Sequence, residues 1–465
     1  MEDLDLGPNP WSDLDDSREP INPNATSRQS ADAVYIKNIE VDGLFGGDPV
    51  RLINDPIITR DSSSLIVLYG KNGTGKTTIL TILYHIFLSK RNGGHKTRIC
   101  SIPFKRFYAL LSNGFSVEAA RESAREGNYT FTVSNEPNNK HSVEILTPRD
   151  VERLGVSAYN QDDIENVYNL LKDSGINFNF LGDDRKITAT RSEPQNRDQR
   201  WRRRETIING DLYYLDTEPE QTLSDSIKIA SRELRNEKYD IISSVSQKTD
   251  NIYANLIERV GVSDKDNTLL SHTTKEEIFD ALDHIKKSHD ELVKFGLANE
   301  LEIDQILTAI EHSRPENLGF IAEIMSPYME GVKARLEALS VIKNTIENFE
   351  YHINRLYSNA KVRLDAEKGL SITGRNGPLS HKLLSSGEKQ LLFLMTSTVG
   401  FRSSSGIIII DEPEISLNPE WQRELIQVLS DLTSGSFVQF IIATHSFEIA
   451  SQYRENVSLL QNVPF

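Results

Sequence analysis

Eight consecutive residues constrain this chain more than any others. Gly70-Lys71-Asn72-Gly73-Thr74-Gly75-Lys76-Thr77 matches G-x-x-x-x-G-K-[ST] at every fixed position. The apolar run SSLIVLYG leads into it. Behind it Ile79, Ile82, Leu83 and Ile86 recur at i, i+3, i+4, i+7, one stripe of a helix that begins at the motif and carries Thr78 in its first turn. A buried strand, a glycine turn and a helix N-terminus are the parts of a phosphate cradle. Glycines let backbone N–H groups close on a phosphate, and the helix end adds partial positive charge. Lys76 is expected to reach the β- and γ-phosphates of ATP, and the Thr77 hydroxyl to ligate Mg²⁺.

A second set of residues narrows the machine. Ile407–Ile410 form an apolar strand that ends in Asp411-Glu412. Continuous apolar strands belong to parallel sheets buried on both faces, and ligands sit at the carboxyl ends of such strands. Asp411 is expected to hold Mg²⁺ and Glu412 to polarise the attacking water. The strand FVQFIIATHS ends at His445, 34 residues after Asp411, where the ring can meet the γ-phosphate or the water. Leu384-Ser385-Ser386-Gly387-Glu388-Lys389-Gln390 opens an apolar helix. Alone it is an ordinary capped N-terminus, but in this company it is a second anion site.

Between these sets the chain changes character. Residues 1–33 hold eight acids, two bases and four prolines, a mixture expected to stay disordered. Short alternating pieces over 102–146 predict an antiparallel β lobe, which closes the N-terminal part of a head over 34–182. An irregular basic loop is expected at 183–213, with Arg197, Arg200, Arg202, Arg203 and Arg204 around Trp201. A helical insertion follows over 214–360. Its last helix spaces Val332, Leu336, Leu339, Ile342, Ile346, Phe349, Ile353 and Leu356 in steps of three and four, close to a heptad seam. That seam fits either an intrachain helical hairpin or an oligomer contact. Residues 361–465 return to alternating strand and helix.

The whole chain has 465 residues, with 68 acids against 52 bases for a formal charge of −16. This balance argues against broad nucleic-acid binding. For the arginine cluster it leaves open a solvated loop, an acidic partner or nucleic acid phosphates. The single cysteine, Cys100, excludes an intrachain disulfide and a cysteine zinc cluster. No apolar run is long enough for a membrane span and the N-terminus lacks a signal-peptide pattern, so a cytoplasmic protein is expected.

The ordered set of motifs resembles an ABC-type P-loop ATPase head, an α/β fold with an antiparallel β lobe and, here, a long coiled-coil-like helical insertion. LSSGEKQ resembles the signature motif, IIIIDEPE Walker B, SLNP the D-loop, and His445 the switch histidine. The resemblance implies a homodimer or higher homo-oligomer in which two heads sandwich ATP. Ser385, Ser386, Gly387 and Glu388 of one chain would then approach the nucleotide held by the other, with Asn418 near the interface. Gln161 is the candidate Q-loop ligand of Mg²⁺ or the water, beside an equal reading as a solvent-facing glutamine. Phe45 is either an adenine-stacking aromatic or, more simply, a core residue. The 307-residue interval from Thr77 to Leu384 is long for a transporter cassette and short for a structural-maintenance protein. The phrases GLFGGDPVRL, YGKNGTGKTTIL and DEPEISLNPEWQ are similar to the OLD-like ATPases, among them ATPase subunits of the PARIS and Septu anti-phage systems. Twenty residues follow His445 and no HNH-like pattern occurs, so the resemblance implies a separate Toprim- or HNH-like effector nuclease or toxin encoded nearby, and a phage-encoded trigger. The alternatives are a RecF-like DNA repair ATPase and a nucleotide-locked clamp that does not turn over.

Overall fold

A computed structural model describes residues 34–53, 64–88, 95–136, 139–150, 161–182, 187–189, 205–208, 211–214, 219–262, 275–299, 303–314, 318–402 and 406–460. The acidic segment 1–33 and the arginine cluster around Trp201 lie outside these residues. So does the Gln161 side chain, although its backbone opens the helix Gln161–Asp173.

The central sheet runs, in spatial order, Val457–Leu459, Ser64–Tyr69, Val438–Thr444, Gly406–Asp411, Phe178–Leu181 and Ile187–Ala189. The first five strands are mutually parallel, and the last pairs antiparallel at the edge. Side chains alternate faces along each strand. Leu65, Val67, Ile408, Ile410, Phe440 and Ile442 therefore join one core, while Ile66, Leu68, Ile407, Ile409, Ile441 and Ala443 join the other. Burial on both faces is why these strands are written as unbroken apolar runs.

On one face lies the P-loop helix Lys76–Phe87, followed by the β lobe. The lobe is a six-stranded antiparallel sheet of Val50–Ile53, Ile36–Asp42, Arg106–Leu111, Ser116–Ala120, Tyr129–Glu136 and Asn139–Ile145. Ser116–Ala120 is hard to see in the sequence because its two alanines carry little strand preference. It is held by its register, with Ala119 opposite both Phe107 and Phe131.

The other face is helical. The signature helix Ser386–Phe401 and the helix Pro419–Leu432 pack there with the long helices Pro219–Val262 and Leu318–Leu356. Leu339, Ile342, Ile346, Phe349 and Ile353 are fully buried in this core. Val332 joins a separate small cluster with Ile278, Leu282, Ile285 and Ile310. The heptad-like seam therefore faces its own chain, the first of the two arrangements its spacing allows.

The stretch 183–213 is less irregular than its composition predicts. Ile187–Ala189 extends the central sheet, and Glu205–Ile208 pairs with Asp211–Tyr214 as a hairpin. Asn209-Gly210 between two strand-forming runs is the two-residue hairpin signal, which the basic composition obscured. After the long helix, Ala360–Asp365 pairs antiparallel with Gly369–Gly374 as a hairpin. Among the described residues no helix is long and apolar enough to cross a membrane.

Candidate functional site

The sheet register brings the motifs together. Tyr69 pairs with Thr444 and Asp411 with Ala443, so the three strands end at one level. With strands about 4.8 Å apart, the P-loop, the Asp-Glu turn and the His445 loop leave the sheet within about 10 Å of one another. Segments as far apart as residue 70 and residue 445 thus meet because adjacent parallel strands carry them.

The P-loop is built for close backbone approach. Gly75 caps the helix at φ +87°, and a Cβ there would stand 2.8 Å from Leu44 Cδ2. Lys71, Asn72, Gly73 and Thr77 form an exposed rim, whereas Lys76 is 4% exposed. Lys76 Nζ donates to the Gly70 carbonyl at 2.9 Å and the Lys71 carbonyl at 3.2 Å, and lies 3.2 Å from Glu412 Oε1. Thr77 in the first helical turn and the buried Asp411 at the strand end are the side chains that would hold a divalent cation if one bound here.

Glu412 sits at φ +48°, its N–H donating to the Ala443 carbonyl at 2.9 Å. Its other carboxyl oxygen, Oε2, meets His445 Nδ1 in a short contact. Burial works against ionisation of Glu412, but the Glu414 carboxyl, the His445 ring and the Lys76 ammonium outweigh it and hold the group below the usual carboxylate range. Burial pushes Glu414 the other way, and the charge on Glu412 adds to it. The two neighbouring carboxyls are thus pushed in opposite directions. The donor atoms of Glu412, Glu414 and His445 lie within 4.8 Å of one another. The Lys76 ammonium on Glu412 already sets a positive charge beside this group.

The signature residues are held by a capping box. Ser385 Oγ accepts from Glu388 N at 3.3 Å, and Glu388 Oε2 accepts from Ser385 N at 2.8 Å. Ser385 and Ser386 are exposed. Ser386 Oγ donates to Ser416 Oγ at 3.0 Å, joining the signature to the turn after Walker B. Gly387 is required there, since a Cβ would stand 2.7 Å from the Ser416 carbonyl oxygen. Asn418 caps the helix Pro419–Leu432, its Oδ1 accepting from Trp421 N at 2.8 Å.

Phe45 is not a core residue. It is 43% exposed, at φ +52°, in a tight turn between glycines, and its N–H donates to the Pro103 carbonyl at 2.9 Å. Its ring walls a cavity of about 460 Å³, lined also by Thr77, Thr78, Thr81, His85 and Arg98. The cavity opens beside the P-loop threonines. Glu414 and, of the cavity's polar lining, Thr81, His85, Arg98 and Ser101 were not singled out from the sequence. The one available signal for Glu414 is its position two residues after Glu412 in DEPE.

Residues 65–451 match the family described as "AAA domain, putative AbiEii toxin, Type IV TA system". The chain belongs to this family. It is an AAA-type P-loop ATPase with an ABC-like arrangement of motifs. It is similar to the Retron Ec83 probable ATPase of Escherichia coli, 27% identical over 184 residues, covering 36% of this chain and 33% of the relative. It is also similar to the Retron Vc95 probable ATPase of Vibrio cholerae serotype O1 biovar El Tor, 28% identical over 117 residues, covering 23% and 22%. The matches thus span a third or less of these relatives. The Smc head domain with an extended coiled coil, bound to the C-terminal domain of ScpA and derived from Pyrococcus furiosus, aligns over 90% of this chain and 91% of that one. Its TM-score is 0.37 at 16% identity.

Proposed function

We propose that this protein hydrolyses ATP with Mg²⁺ and acts as the sensor and scaffold of a defence system, controlling a separate effector nuclease or toxin. The observation that carries the ATPase reading is the meeting of Lys76, Glu412 and His445 at the carboxyl ends of the central strands. Lys76 and the P-loop amides hold the phosphates; Thr77 and Asp411 would hold a Mg²⁺ ion, which would supply charge neutralisation there. Glu412 takes the proton of the attacking water, and His445 orients Glu412 and the γ-phosphate end of the nucleotide. The cavity beside Phe45 takes the nucleoside. The exposed signature serines meet the nucleotide of a second head, so the active form is a homodimer or larger homo-oligomer.

The defence reading is supported by the toxin–antitoxin description of the family and by the retron names of two relatives. The effector is expected to be a Toprim- or HNH-like protein encoded nearby, as in the PARIS- and Septu-like systems, released by a phage-encoded trigger. Phosphate release from ATP and Mg²⁺ by the purified chain tests the enzyme. Co-purification with the product of an adjacent gene, and loss of phage protection when Glu412→Gln replaces the wild type, test the scaffold. Full protection by this chain without any neighbouring gene would refute the effector model.

A further inference from the structure

We infer that Glu414 is a positioning residue for hydrolysis, the anchor that holds the switch loop, and with it the His445 ring, against Glu412; this rests on the ATPase reading above. Glu414 Oε1 accepts from three consecutive residues at once: Thr444 Oγ1 at 2.5 Å, His445 N at 2.8 Å and Ser446 N at 3.0 Å. His445 Nδ1 lies 3.2 Å from the same oxygen. The side chain is 4% exposed, so water competes weakly for these bonds.

The backbone beneath Glu414 is itself fixed. Ile415 N donates to the Glu412 carbonyl at 3.2 Å and Leu417 N to the Glu414 carbonyl at 2.9 Å. Pro413 restricts the single residue between the two acids. One carboxyl therefore grips the backbone of the switch loop while the other, two residues away, meets its ring. The far side of the loop is tied down as well: Ser446 Oγ donates to Gln422 Oε1 at 2.7 Å, and Gln422 Nε2 to the Leu417 carbonyl at 2.9 Å. The backbone that carries the imidazole cannot shift away from Glu412 without breaking bonds at Glu414.

Length of the side chain, rather than its charge, is what such a grip needs. Glu414→Gln keeps the length and the accepting oxygen. Glu414→Asp keeps the acid but retracts it by one methylene, and misplacement by about 1 Å can cost about 100-fold in rate. The experiment compares kcat and KM for ATP in both variants and in Thr444→Val, each with and without His445→Ala, with thermal melts confirming folding. Glu414→Gln is expected to keep kcat within about threefold. Glu414→Asp should lower it at least tenfold with KM within twofold, and Thr444→Val severalfold. In the His445→Ala background neither Asp nor Val should slow turnover further. An active Asp variant beside a dead Gln variant would assign Glu414 a charge or proton-transfer role instead. Losses that multiply with His445→Ala would also overturn the positioning role. Thr444→Val leaves the carboxyl in place and serves if Glu414→Asp does not fold. A wild type that releases no phosphate would fail the ATPase reading itself, a result distinct from either of these.

Discussion

Lys76 Nζ lies 3.2 Å from Glu412 Oε1, so the cation of the phosphate loop and the carboxylate at the end of Walker B form one ion pair at the carboxyl ends of the central strands. Glu412→Gln preserves its size and the oxygen facing Lys76 but cannot take a proton. Phosphate release is expected to fall by about 100-fold or more, the usual range for losing a general base, while ATP binding is retained. Lys76→Ala should lose binding as well. Equal turnover by the Glu412→Gln variant and wild type would remove Glu412 from the chemistry.

Phe45 offers a test of where the nucleoside lies. The ring stands exposed beside a cavity that also touches Thr77 and Thr78. Phe45→Ala removes a stacking surface, worth about 1–3 kcal/mol per base by the behaviour of other aromatic platforms. KM for ATP should rise about fivefold or more with kcat little changed. Identical saturation curves would place the base elsewhere.

The catalytic strands were legible in the sequence because the physics that buries them leaves a mark. Ile407–Ile410 and Phe440–Ile442 are apolar without alternation, which only a sheet covered on both sides tolerates, and each ends at its chemical residue. Glu414 was not legible, since its partners Thr444, His445 and Ser446 are supplied by a strand thirty residues on, and no local pattern announces a hydrogen bond across strands. Of the two readings the sequence left open for Phe45, the core one fails for a related reason. An aromatic beside apolar residues is core by composition, and only the left-handed turn at Gly43-Leu44-Phe45 turns it outward. The seam Val332–Leu356 gave its periodicity plainly, but spacing does not tell an intrachain partner from a second molecule.

That seam yields a contrast within one turn of helix. Phe349 is fully buried, whereas Tyr351, two residues on, is 61% exposed. Phe349→Ala should destabilise by about 3–5 kcal/mol, the usual cost of emptying a core aromatic site. Tyr351→Ala should change stability by less than about 0.5 kcal/mol. Urea unfolding of both variants separates them, and similar midpoints would mean the helix packs by another face.

Arg402, at the C-terminal end of the signature helix, is fully buried. Its Nη1 donates to Glu237 Oε2 at 2.6 Å and its Nη2 to the Ser434 carbonyl at 3.1 Å, tying the signature helix to the long helix Pro219–Val262. Glu237→Ala strands the guanidinium. Because the Glu237 side chain is 18% exposed, water screens the pair in part, and a loss of about 2–4 kcal/mol is expected. Replacing both residues by Arg402→Met and Glu237→Leu should recover most of it, since apolar pairs of similar volume substitute well for buried ions. A double variant less stable than Glu237→Ala, measured by denaturant titration, would contradict this account.

His85 sets an acid sensitivity in the P-loop helix. It is buried, with Nδ1 3.0 Å from His95 Nδ1. Burial first, and then the positive neighbours His95, Arg98 and Lys96, depress its pKa to about 3. The unfolded chain takes up that proton near pH 6.5. Between these values the unfolded state binds more protons than the folded one, so stability falls on acidification and is fully present above pH 6.5. Each pH unit well inside the window costs at most about 1.4 kcal/mol from this group. His85→Leu fills the same site without a titrating atom. Its melting temperature should therefore drop less than that of the wild type between pH 7 and pH 5, with the other acid-sensitive groups common to both proteins. A variant that loses as much as the wild type, or more, would show that His85 is neutralised by some other route and that the acid response of this helix originates elsewhere.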